Sequence, residues 1–282
     1  MARRKIKDPS ARINKWIKEG RGSGEGANYK PWLRIQDVPS RGYAKRVVGW
    51  KTGREHHLLS NLELDVFYTF EWASAVLDIR EQFPLLPLEL TLSIAHKLGV
   101  SHPKEPGTCA PIVMTSDFVI TQKGLFSNEE LAVCVKPSAE LDSERVRQKL
   151  AIEQVYWKTR SIRWVVFTER EISEARAFNV RWIHEYLDAS QLPETTEIVR
   201  KHVAQLLIHL LTDGLTLAEA TCIADDRLAL LAGTSLCLVR HFIAARRWGV
   251  DMDKKIDPQQ TLPLLKTAAE DFSNGDLRQQ SA

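Results

Sequence analysis

The four cysteines, Cys109, Cys134, Cys222 and Cys237, include no C-x-x-C pair, and no histidine stands beside them at zinc-ligand spacing. That excludes the usual zinc sites and leaves reduced thiols. No run of about 18 apolar residues occurs, so no membrane span is expected. The opening residues lack the basic, apolar and cleavage-site pattern of a secretory leader, so a cytoplasmic location is expected. The glycine-rich stretch from Gly20 to Gly26 has no Gly-Lys-Ser/Thr ending and follows no strand, so it is not a Walker loop. It is either a plain linker or flexible backbone that wraps a phosphate together with Arg21. His56 and His57 adjoin, but no third ligand follows at useful spacing, which favours a supporting or structural role over a metal site.

What is present points elsewhere. The 282 residues suffice for two domains of ordinary size. The balance of 44% hydrophobic to 27% charged residues is that of a water-soluble globular protein. A formal net charge of +3 hides a steep division. Residues 1–55 carry 15 Lys and Arg against 5 Asp and Glu, a net +10, which leaves −7 for the rest. A basic arm on a slightly acidic body suits a polyanionic partner, here DNA. Residues 31–56 alternate and turn around Pro and Gly. They are expected to form short strands or an extended arm that brings Arg41, Lys45, Arg46, Lys51 and Arg54 near DNA.

The chain is organised around the stretch from Pro111 to Lys136. Val113 to Thr121 is rich in β-branched and aromatic residues and predicts a strand. Leu131 to Val135 predicts a second, apolar enough to be covered on both faces. Each carries one out-of-place charge, Asp117 and Lys136. Alternation sets Asp117 on the face of Val119, and Lys136 on the face of Ala132 and Cys134. A carboxylate and an ammonium on neighbouring strands either form a structural pair or hold a metal ion and a water beside a phosphate. The helix predicted over Leu59 to Phe70 adds a third group. Glu63 falls on its apolar arc, while Asn61, Asp65 and Tyr68 point away. A carboxylate on a buried stripe is costly unless a cation meets it. Two acids and a lysine delivered this way outline a metal-dependent nuclease site.

The flanking pattern predicts an α/β fold with a mixed sheet between helices. A strand opens the segment from Val76 to Pro87, where Arg80 and Glu81 are expected to be paired or near the site. A helix capped by Asp142 runs to about Thr159 and carries Glu153 on its apolar arc, either as part of the site or paired with a core arginine. A buried strand follows from Arg163 to Thr168. The expected domains are a basic arm leading into the catalytic domain over 1–55, a core over 56–170, an interaction domain over 171–266 and a disordered tail over 267–282. In the interaction domain, helices over Thr195 to Thr212, Leu217 to Ile223 and about Leu228 to Leu231 precede an apolar run to Met252 with a β-ribbon. That pattern suggests a small, mostly α, winged-helix-like domain.

Several uninterrupted blocks resemble one family in the right order: IKEGRGSGEGANYKPWL, HHLLSNLEL around Glu63, VLDIREQFPLLP, the TSDF of Asp117 and the VKP of Lys136. They resemble TnsA, the endonuclease subunit of heteromeric cut-and-paste transposases, over residues 13–168. The resemblance implies a restriction-endonuclease-like catalytic domain with Glu63 and Asp117 as catalytic acids, Lys136 as catalytic lysine and the Val135 carbonyl as a metal ligand. It implies cutting of the non-transferred strands at the 5′ ends of a transposon. It also implies a TnsB-type transposase partner, a TnsC-type AAA+ ATPase regulator and a winged-helix-like C-terminal domain that contacts it.

One position departs from the pattern. Two residues before the lysine, where restriction-type nucleases carry a third acid, stands Cys134. Either it is a packed supporting residue or the site favours a softer ion, Mn²⁺ over Mg²⁺. The competing readings are an autonomous restriction or repair nuclease, which would cut DNA unaided, and a non-catalytic DNA-binding assembly protein, which would show no magnesium-dependent nicking.

Overall fold

The β-branched and aromatic runs do become strands, and their pairing builds one four-stranded sheet. The computed structural model describes residues 9–38, 44–188, 190 and 192–267, so the ARRKIK opening, Arg41 and the tail after Thr267 lie outside the described residues. The chain divides into two units between Ile172 and Ser173.

In chain order the first unit comprises α1 (Pro9–Lys18), β1 (Lys45–Val48), β2 (Glu55–Leu58), α2 (Asn61–Trp72), β3 (Val76–Pro84), α3 (Leu88–Lys97), β4 (Thr115–Lys123), β5 (Asn128–Val135), α4 (Glu144–Thr159) and β6 (Arg163–Phe167). The sheet runs β3-β4-β5-β6, antiparallel except for the parallel β5–β6 pair, and is therefore mixed. A parallel pair needs a crossover, which α4 supplies. β1 and β2 form a separate two-stranded ribbon.

Helices cover both faces of the sheet. On one, Val119 and Ala132 pack with Leu85, Ile94, Ile152 and Trp157 from α3, α4 and the β3–α3 connection. On the other, α2 sets Phe70 against Phe118 and Phe167, each with ring centroids 5.7 Å away. Burying each such side chain contributes about 1.5–3 kcal/mol. Tyr68 is buried rather than turned away as expected. The ribbon packs on α2 as well, with His56 against Phe67 at 4.7 Å, so the helix is enclosed on more than its sheet-facing stripe.

The Gly20 to Gly26 stretch is a packed turn rather than a plain linker. Arg21 is turned inward, its guanidinium 4.4 Å from the Trp16 ring and donating to the Trp32 carbonyl at 3.0 Å and to Asp37 at 2.5 Å. A Cβ at Gly22 would lie 2.2 Å from the Pro84 ring, so only glycine fits there.

The second unit comprises α5 (Glu174–Ile183), α6 (Glu197–Thr212), α7 (Leu217–Arg227) and α8 (Thr234–Ala244), with a two-residue antiparallel pair, β7 (Trp248–Gly249) and β8 (Lys266–Thr267). The helix expected over 228–231 is instead a turn. The chain passes through left-handed Gly233 (φ 90°), and the next helix begins at Thr234, within the segment expected to lead into a ribbon. Asp225 draws that start inward, accepting from the Gly233 N–H at 2.7 Å and the Ser235 N–H at 2.8 Å. Leu238, Val239, Phe242 and Ile243 then form the buried face of α8. No helix among the described residues is long and apolar enough to cross a membrane.

Candidate active site

Glu63 reaches the interior because of how α2 begins. Ser60 is the cap: its Oγ accepts from the Glu63 N–H at 3.1 Å and donates to Glu63 Oε1 at 3.0 Å. The Leu59 N–H donates to Glu63 Oε2 at 3.0 Å. The Ser-Asn-Leu-Glu spacing at 60–63 is a capping-box signature that the periodicity argument did not use. A carboxylate that only caps a helix is ordinarily hydrated, but Glu63 is 7% exposed. Burial, and then the Asp117 charge, push its pKa up to about 7. Ser60→Ala should lower stability by about 1 kcal/mol, read as an earlier urea midpoint, because the cap and the carboxylate's donor are lost together.

Asp117 and Lys136 meet where the β4–β5 pairing ends. The last paired residues are Phe118 and Val133, and the Val135 N–H donates instead to Asp117 Oδ2 at 2.6 Å. The Lys136 ammonium lies 3.2 Å from that same oxygen and 2.7 Å from the Val135 carbonyl. Burial pulls the ammonium toward neutrality. The Asp117 charge, assisted by Glu153, outweighs this and holds its pKa above the ordinary lysine value. Two oxygens thus converge on one cation at the sheet end.

Glu153 projects from α4 onto Ser116 of β4. Among the described residues it has no arginine partner of the kind considered from sequence. The Ser116 hydroxyl donates to Glu153 Oε1 at 2.6 Å and accepts from the Trp157 indole N–H at 2.7 Å. Burial, and then the Asp117 charge, raise the Glu153 pKa to about 7. Cys134 is buried between these groups. Burial, with the Glu153 and Asp117 charges, holds its thiol well above the ordinary value, so it is a neutral packing residue. A neutral thiol offers magnesium nothing.

Gln82 was not foreseen. It falls between the Glu81–Phe118 and Phe83–Ser116 pairs of β3 and β4, and its φ of 49° is a left-handed conformation costly for a residue with a side chain. Its Nε2 donates to Glu63 Oε2 at 3.3 Å, and its Oε1 accepts from the Thr115 hydroxyl at 3.2 Å. It ties the α2 acid to the start of β4. No compositional signal marks it, since its role depends on which strand lies beside β4.

Arg80 and Glu81 are both paired, though not with each other. Arg80 binds Glu130 and lies 3.6 Å from Asp78. Glu81, fully buried, accepts from both Arg54 guanidinium nitrogens, bonds His56 Nδ1 at 2.8 Å and accepts from the His57 N–H at 3.2 Å. Arg54 therefore faces inward, 8% exposed, and departs from its expected place among DNA contacts. The Lys51 ammonium donates to the Ala73 and Val76 carbonyls at 2.9 and 2.7 Å. Lys45 and Arg46 are exposed on β1. The structure thus gathers Glu63, Asp117, Val135 and Lys136, with Cys134 and Glu153 beside them, and leaves Arg54 apart. Among the described residues, no group of three or more His, Cys, Asp or Glu side chains is placed to hold a metal. A metal here would rest on two carboxylates, a backbone carbonyl and water, a hard-oxygen set of the kind magnesium takes.

Comparison with known proteins gives a consistent result. Residues 73–169 match the family model for the TnsA-like endonuclease N terminal region. Residues 171–252 match the one for the TnsA endonuclease C terminal region. The chain is 44% identical over 216 residues to the transposon Tn7 transposition protein TnsA of Escherichia coli, covering 76% of this chain and 75% of that protein.

Proposed function

The chain belongs to the TnsA family of transposition endonucleases, and from that premise we propose that Glu63, Asp117 and Lys136 form its cleavage centre and that it is a magnesium-dependent phosphodiesterase. The observation that carries the reading is the convergence of Asp117 Oδ2 and the Val135 carbonyl on the Lys136 ammonium, with Glu63 buried within reach of the Asp117 charge. A buried carboxylate at a raised pKa beside a second carboxylate is poised to ionise when a further cation arrives.

Glu63, Asp117 and the Val135 carbonyl would hold a magnesium ion, with manganese able to substitute. When bound, such an ion lowers the pKa of a ligated water and offsets charge on the phosphorane. The chain's own groups do the rest. Ser60, Leu59 and Gln82 fix both Glu63 oxygens, so the acid meets its ligand without reorganising. Lys136, held charged by Asp117, is not a proton acceptor at neutral pH. It neutralises a non-bridging phosphate oxygen or orients the attacking water, roles that suit a mobile point charge.

In this reading the protein cuts the non-transferred strands at the 5′ transposon ends. A TnsB-type transposase processes the 3′ ends, and the first unit is restriction-endonuclease-like. The second unit, winged-helix-like, meets a TnsC-type AAA+ ATPase. The helices α5 to α8, followed by a short antiparallel pair, support the winged-helix-like reading. Lys45 and Arg46 on β1, with Arg41, serve the DNA backbone.

The test is cleavage of transposon-end DNA with nicks mapped on each strand. With the partner transposase and magnesium, nicks are expected at the 5′ ends, and removing magnesium with a chelator should abolish them. Equal cutting in chelator would overturn the metal reading. Equal cutting by this chain alone on unrelated DNA would favour an autonomous nuclease.

A further inference from the structure

Beside the Asp117–Lys136 pair lies a cleft of about 230 Å³ that the chemistry above does not use. It is lined by Lys136, Cys134 and Glu153, by Ile112 and Met114 from the segment that leads into β4, and by Val146 and Leu150 of α4. Val146, Lys149, Leu150 and Glu153 recur at helical spacing, so one stripe of α4 lines it. Lys149, exposed on that stripe, adds a second cation. Thr115, whose hydroxyl donates to Gln82, lines the cleft next to the catalytic strand.

We propose that this cleft receives one nucleotide of the strand being cut, the one flanking the scissile phosphate. The inference rests on the nuclease reading, because Lys136 belongs to both places. Apolar side chains brought to one cleft by two separate segments suit the flat faces of a base. Two lysines on one cleft suit the successive phosphates of a single strand. Glu140 also borders the cleft but is exposed, and Glu153 is engaged by Ser116. A base drawn from the stack loses its stacking, and packing and phosphate contacts at such a site offset that loss. The function served is specificity of position. Seating the neighbouring nucleotide sets which phosphate reaches Asp117.

The full-length protein, assembled on transposon-end DNA with the transposition proteins that cutting requires, provides the test. 5-Iododeoxyuridine is placed singly at positions around the mapped cut, the complex is irradiated, and crosslinked peptides are identified by mass spectrometry. The nucleotide beside the cut is expected to join the wall at Ile112–Met114 or at Val146–Leu150. Leu150→Trp, which fills the cleft, should slow cutting about tenfold or more, equivalent to about 1.4 kcal/mol. It should also remove that crosslink. Should the tryptophan variant fold poorly, Lys149→Glu on the exposed rim is expected to act in the same direction with the parental melting temperature. Crosslinks that fall only outside the cleft, or parental cutting rates in both variants, would overturn the proposal while leaving the nuclease reading intact. If the parental protein shows no magnesium-dependent cutting, both fall together.

Discussion

Asp117→Asn protein is expected to fold and to lose strand cleavage by at least about 10³-fold, or about 4 kcal/mol of transition-state stabilisation. The asparagine oxygen can still accept from the Val135 N–H, a bond that closes the β4–β5 pairing. The charge that holds Lys136 protonated disappears, and so does one of the two carboxylates proposed for the metal. Folding stability should change little. The Lys136 pair is weakened, but Glu63 is relieved of the Asp117 charge that raises its pKa. A second readout separates catalysis from structure. Magnesium should raise the melting temperature of the parental protein by binding the folded state, and should do so far less in Asp117→Asn. Cleavage at the parental rate by the variant, with partners present, would refute the assignment.

The second large effect concerns stability. Glu81→Ala is expected to cost about 3–5 kcal/mol, since it strands a buried arginine. Arg54 is 8% exposed, and both its terminal nitrogens are committed to Glu81. Burial pushes the Glu81 pKa up, but hydrogen bonds from Arg54 and His56 outweigh it and bring it from 4.5 to about 2. A depressed carboxylate pKa contributes stability that is complete above the unfolded value. That contribution fades as pH falls from about 4.5 toward 2, and amounts to about 3 kcal/mol. Urea unfolding at several pH values checks both statements. Glu81→Gln should unfold earlier than the parent at pH 7 and should lack this part of the acid-dependent loss. Coincident midpoints for parent and variants at pH 7 would show that the network is dispensable.

These two carboxylates illustrate what local pattern can convey. Both were marked in the sequence by being charged among apolar neighbours, which is enough to say that a partner must exist. It is not enough to name the partner. Glu81 was read as paired or near the site. Its partner Arg54, 27 residues away in the chain, was read as a DNA contact, because a charge in a basic arm looks solvated until the fold encloses it. Glu153 was left open between site and core arginine. The register that brings Ser116 under α4 settled its contact. The third helix of the second unit was misplaced because Gly233 and the Asp225 cap, not apolar periodicity, decide where α8 begins.

By itself, the amino-acid order determined the mixed α/β character, the strands that carry Asp117 and end at Val135, and the helix that buries Glu63. Those follow from repeats of 3.6 and 2 residues, which act over a few neighbours. Only the tertiary structure decided that Gln82, in a left-handed conformation, bonds Glu63, that Arg54 is enclosed, and that Lys136 sits on two converging oxygens. Each of these depends on which strand lies beside which, and that is set by burial and pairing across the whole sheet, beyond the reach of any local window.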